Sequence, residues 1–178
     1  MGFNKPGRAY TGKQRSELET LERRGMLVVG NAFSQVLVVK GGPGEAERGA
    51  APLLGGADGA ALRAAFAKLG YAPEDWCGLA CWRADGGILS PDELRLAVTV
   101  LDPATVVVCD GDAAALMRAA YADELMGYAG VLEPGSVTMV QGMRALALGG
   151  FETALADAQG KQRAWAWLKQ IPPLGDPY

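Results

Sequence analysis

Apolar residues along this chain fall into two kinds of run. Val36-Leu-Val-Val39 and Thr105-Val-Val-Val-Cys109 are short, continuous and rich in β-branched residues. Such runs read as strands buried on both faces, the pattern of a parallel sheet. Between them apolar positions recur at helical spacing. Leu62, Ala65, Phe66 and Leu69 share one face, with Asp58 as a candidate cap and Gly70 as the stop. Ser90-Pro-Asp-Glu93 opens another helix: Ser90 caps, proline suits the first helical position, and Glu93 closes a capping box. Asp102-Pro103 ends it near Leu101.

The remaining punctuation completes the outline. Residues 13–24 read as a helix stopped by Gly25, and 26–30 and 35–39 as strands. Residues 41–57 form a glycine-rich loop holding Pro43 and Pro52, and residues 75–81 form a buried strand. Asp112 caps a helix to about residue 122, Val137-Thr-Met-Val140 is the last strand, and Phe151 to Gln170 the last helix, weakened at Gly160. On that helix Trp165 is expected in the core and Trp167 at its edge. Alternation of strands and helices predicts an α/β fold, a three-layer αβα sandwich around a four-stranded parallel sheet. Its strands lie near 35–40, 76–81, 105–109 and 136–140. Residues 1–12 are expected to be a loose arm, 13–172 one domain and 173–178 a tail.

Composition narrows the function classes. A chain of 178 residues fits one domain. Its net charge of −3 counts against strong nonspecific nucleic-acid binding, which rests on cations meeting phosphates. No apolar run approaches the roughly 18 residues of a membrane-spanning helix, and the first ten residues lack a signal peptide's apolar core. Cys77, Cys81 and Cys109 have apolar neighbours and read as reduced, buried thiols of a cytoplasmic protein. With no histidine in the chain, the Cys77–Cys81 spacing makes no zinc site, and no metal or other cofactor is expected.

A set of ordered motifs resembles the uracil-DNA glycosylase superfamily, closest to its iron–sulfur branch. Lys40-Gly41-Gly42-Pro43-Gly44 follows the first parallel strand, where the family has Gly, an acidic residue or Asn, any residue, Pro and Gly. Then come Ala50-Ala-Pro52-Leu53 for Gly-x-Pro-Phe, and Gly55-Gly-Ala-Asp-Gly59 for Gly-x-Ala-Gly ahead of a helix. Leu69-Gly70 matches a Leu-Gly turn, Leu79-Ala80 the family's Thr-Asn, and Arg83-Ala84 its Lys-Cys. Pro91-Asp-Glu-Leu94 and Val106-Val-Val108 match a helix start and a strand. Val140-Gln141-Gly142-Met143 stands for the closing Tyr-His-Pro-Ser, and Lys161-Gln-Arg-Ala-Trp165-Ala-Trp-Leu168 for the terminal helix. The resemblance covers about residues 26–170 and implies parallel strands in the order 2-1-3-4.

The chemistry that the resemblance would carry is missing. A base-excising enzyme must extrude the base, stack it, read its edge and stabilise the leaving group. The family's water-positioning acid falls on Gly41, its stacking Phe on Leu53, its base-reading Asn on Ala80 and its oxyanion-binding His on Gln141. A cluster cysteine falls on Ala84. The resemblance therefore implies a cleft bordered by Gly41, Gly42, Pro43, Gly44, Leu53, Ala80 and Gln141 in a domain without glycosylase activity. Such a domain would keep nucleotide or single-stranded DNA binding as a remnant of DNA repair, with Arg144, Lys161 and Arg163 as phosphate contacts. Two other readings stand beside it: an active enzyme whose carboxylate has moved to Glu45, and a subunit that binds only a protein partner. An exposed apolar patch at the cleft would favour the partner; a polar, basic cleft would favour the other two.

Overall fold

The computed structural model describes residues 6–173, with side chains from residue 15 onward. Eight helices and six strands follow in chain order. They are α1 Pro6–Arg23, β1 Met26–Gly30, β2 Val36–Lys40, α2 Glu45–Arg48, α3 Ala57–Lys68, β3 Trp76–Arg83 and α4 Pro91–Leu101. Then come β4 Thr105–Val108, α5 Gly111–Ala120, α6 Ala122–Leu125, β5 Val137–Val140, β6 Met143–Ala147, α7 Phe151–Ala154 and α8 Ala158–Leu168. Of the arm expected over 1–12, residues 6–12 belong to α1, and 1–5 lie outside the described residues, as do 174–178 of the tail.

The α/β class holds, but the four-stranded parallel sheet is corrected. One mixed sheet of six strands runs β1-β3-β2-β4-β6-β5. Its inner four strands are parallel, and β1 and β5 pair antiparallel along the two edges. The strand expected over 136–140 as the fourth parallel strand is the antiparallel edge β5. The true fourth strand is β6, which pairs Thr105 with Arg144 and Val108 with Ala147. Val140 and Met143 face each other across the two-residue loop Gln141-Gly142, and both loop residues have positive φ, 49° and 84°. Two positive φ values give the hairpin turn whose twist matches paired strands.

The period of two along the strands sends alternate residues to opposite cores. Leu37, Val39, Cys77, Leu79, Val106 and Val108 pack under α1, α4 and α5. Val36, Val38, Trp76, Ala80 and Val107 pack under α3 and α8. The three cysteines are free and buried. Trp165 and Trp167 both pack, half-buried, against the second core. The break in the last helix falls at residues 155–157, because the Asp157 carboxylate accepts from the Gly160 amide at 2.7 Å and starts α8 afresh. No helix among the described residues is long and apolar enough to cross a membrane.

Candidate functional site

In a doubly covered parallel sheet, ligands collect at the carboxyl ends of the strands where the connections diverge. Here that place is the gap between β2 and β4, since β3 lies on one side of β2 and β4 on the other. A cavity of about 240 Å³ opens there. Lys40, Gly42 and Pro43 border it from the end of β2, Cys109, Asp110 and Asp112 from the end of β4, and Gly150 to Thr153 from the segment after β6. Asp58 reaches it from α3.

Lys40 organises one wall. It is the last residue of a strand whose five residues are all buried. Its Nζ donates to Asp58 Oδ2 at 2.6 Å and Glu47 Oε1 at 2.8 Å, with Glu152 Oε2 at 3.2 Å. The side chains of Lys40, Asp58 and Glu47 are 4%, 4% and 5% exposed, so three charges sit almost out of water. Burial alone would drive the ammonium toward its neutral form; the bonds to Asp58 and Glu47 outweigh it and hold the pKa well above its ordinary value. Burial likewise pushes against the Glu47 carboxylate, but Lys40 and the Leu54 amide, 3.0 Å from Oε1, bring its pKa below the ordinary value. An amine fixed as ammonium is no nucleophile.

The loop from Gly41 to Gly44 is tied into the same cage. The Gly41 amide donates to Asp110 Oδ2 at 2.9 Å, while Asp110 Oδ1 accepts from Ala113 and caps α5. A Cβ at Gly41 would lie 2.1 Å from Asp110 Oδ1 and 2.4 Å from the Ala113 nitrogen. No side chain fits at position 41. At Gly44 a Cβ would lie 2.1 Å from Glu152 Oε2, so the carboxylate can approach Lys40 only because position 44 is glycine. The other thiol-bearing wall is inert: burial, with Asp110 and Asp58 nearby, pushes Cys109 well above the ordinary thiol value.

Several expected site residues lie elsewhere. Gly42 and Pro43 border the cavity and Gly41 and Gly44 brace it, but Leu53 and Ala80 are core residues of the α3/α8 side. Gln141 sits in the β5–β6 turn at the opposite, amino end of the parallel strands, where its amide donates to Glu124 at 2.7 Å. Arg144, the second residue of β6, lies at that same end. Lys161 and Arg163 are on α8, with Arg163 over the Trp167 ring at 5.9 Å, so the three basic residues form no single cluster. Glu45 is exposed at the start of α2 and off the cavity wall; its amide donates to Glu152 at 3.3 Å. Asp58 does not cap α3, which starts from Gly56, and Asp112 does not cap α5.

Lys40, Asp58 and Glu152 escaped the sequence reading. A lone lysine ending an unbroken apolar strand, and an aspartate in the first turn of an alanine-rich helix, are the two marks that could have paired them. Among the described residues no group of three or more Cys, Asp or Glu side chains is placed to hold a metal ion. The carboxylates converge instead on the Lys40 ammonium. Of the carboxylates bordering the cavity, Asp112 is exposed and Glu152 partly so, and the charged groups that meet solvent there are therefore acceptors. No protein-family model matches the chain, and no curated protein matches it significantly.

Proposed function

We propose that this chain is a divergent uracil-DNA glycosylase-like domain without glycosylase activity, one that acts by binding. Support for the likeness comes from the motif order and from the inner strands, which run 2-1-3-4 when numbered among themselves. Support for lost catalysis rests on one observation: the cage of Lys40, Glu47, Asp58 and Glu152 with Gly41 pressed on Asp110. Lys40 stands where the family's first motif has glycine, and its ion pair with Asp58 lies beside the cleft. The water-positioning acid has no room at position 41. A single general base is worth about 10²–10⁴ in rate, and position 41 has no room for one.

The charged side chains of the cleft are mostly acidic, not the basic set that would favour the two nucleic-acid readings. Acidity weighs against the nucleotide and single-stranded DNA reading at this cleft and leaves a partner-binding role in front. Buried, unpaired thiols suit a reducing compartment, so a cytoplasmic site of action goes with this proposal.

Incubation with uracil-containing single- and double-stranded oligonucleotides tests the reading, with abasic-site cleavage as readout. No excision is expected. Excision abolished by Glu45→Gln would revive the relocated carboxylate; excision abolished by Asp112→Asn would place the base on the cavity wall instead. Any excision, whether or not either variant removes it, overturns the proposal.

A further inference from the structure

The helical layer on one face of the sheet has a gap. α3 and α8 both pack on the second core, yet a groove of about 250 Å³ lies between them, lined also by Phe151 of α7. Leu155, Trp165 and Leu168 supply apolar walls, Ala64 stands at the opening, and Lys68 and Lys161 stand at the rim. Lys68 lies 5.6 Å from the centre of the Trp165 ring and Lys169 lies 5.8 Å from it. Among the described residues none of these three lysines has an ion-pair partner. Residues 158–170 carry Lys161, Arg163 and Lys169 and no carboxylate, in a chain whose net charge is −3. This face is thus locally basic against an acidic whole.

We propose that this groove docks an acidic amphipathic peptide segment of a partner protein, which inserts an apolar side chain against Trp165 and sets carboxylates on Lys68, Lys161 and Lys169. Chemistry selects the occupant. An apolar floor suits an aliphatic or aromatic side chain, and unpaired ammonium groups at the rim suit carboxylates. A nucleobase fits worse. Its edge needs both donors and acceptors, and the groove's side chains offer donors, the lysine ammonium groups and the Trp165 indole, but no acceptor.

The probe is a fluorescein-labelled amphipathic peptide of roughly 16 residues, long enough for a marginal helix, with leucines on one face and glutamates elsewhere. Binding is read by anisotropy on the full chain. Saturable binding that weakens with added salt is expected. Lys68→Glu with Lys161→Glu should weaken it about tenfold, as loss and reversal of two exposed ion pairs would. Ala64→Phe, at an exposed helical position that leaves the core intact, should abolish it by filling the groove. Circular dichroism of each variant confirms the fold. No binding at about 1 mM peptide, the weak limit of specific association, overturns the proposal, as does binding that Ala64→Phe leaves unchanged. Tighter binding of an oligothymidylate, lost in the same variants, overturns it in favour of nucleic acid. None of these results depends on whether uracil is excised.

Discussion

The two ends of the parallel strands each hold a cation among carboxylates, and they hold it differently. At the carboxyl end Lys40 is 4% exposed and its partners Asp58 and Glu47 are buried with it. At the amino end Arg95 is 38% exposed, pairs with Glu124, and shares that carboxylate with Gln141. Buried charges bind each other strongly only because each has lost its water, so removing one leaves the rest uncompensated. Exposed charges keep water as an alternative partner, and their pairing adds little. A similar contact pattern is therefore structural at one end of the sheet and nearly optional at the other.

The largest break in that contrast is Lys40→Met. It strands Glu47 and Asp58 without a counter-charge and should destabilise the fold by about 3–5 kcal/mol in urea unfolding, a fall of about 10 °C in Tm. Adding Glu47→Gln and Asp58→Asn should recover part of the loss, because charge then leaves both sides. Next comes Gly41→Ala. Its Cβ would meet the Asp110 cap and should cost about 1–3 kcal/mol, whereas Gly42→Ala, whose nearest neighbour would be 3.9 Å away, should be close to neutral.

Acid should produce a smaller, graded loss. The folded pKa of Glu47 lies below its ordinary 4.5, so its contribution is complete above that pH and is lost as pH falls below it. Glu93, held down to about 2 by Arg83 and the Ser90 amide, loses its share over the interval from 4.5 to about 2. Lys40 is shifted the other way, so its contribution stands in full up to its ordinary 10.5. Urea midpoints should stay flat from neutrality to about 9, the ordinary thiol pKa. Above it they should fall, because burial raises the pKa of Cys77, Cys81 and Cys109 in the fold. They should also fall in acid, where Lys40→Met should flatten the limb. The smallest effect belongs to Arg95→Ala and Gln141→Ala, which should barely move the unfolding midpoint.

Most of the element order was legible from periodicity, because fully buried β-branched runs and well-capped helices leave strong local marks. The error at the fourth strand has a local cause. Val137–Val140 looks like a strand, whereas Met143-Arg-Ala-Leu-Ala147 is built of helix formers and becomes a strand only through burial between β4 and β5. The Gln141-Gly142 pair between two apolar runs was the missed hairpin signal. That one hairpin reverses the chain, so Gln141 and Arg144 sit at the amino end rather than beside Gly41. The cage was less legible still, because its members come from residues 40, 47, 58 and 152, and no local pattern links a lysine to carboxylates that distant.

The cage also bears on how this sequence can change over time. A domain of this size has only about 5–15 kcal/mol of stability in hand, and exchanging any one buried partner alone spends a large fraction of it. Removing the cage without that loss would need Lys40, Glu47 and Asp58 to be replaced nearly together. Each single exchange within the cage thus meets a stability barrier, and the cage works as a ratchet against stepwise change at this end of the sheet.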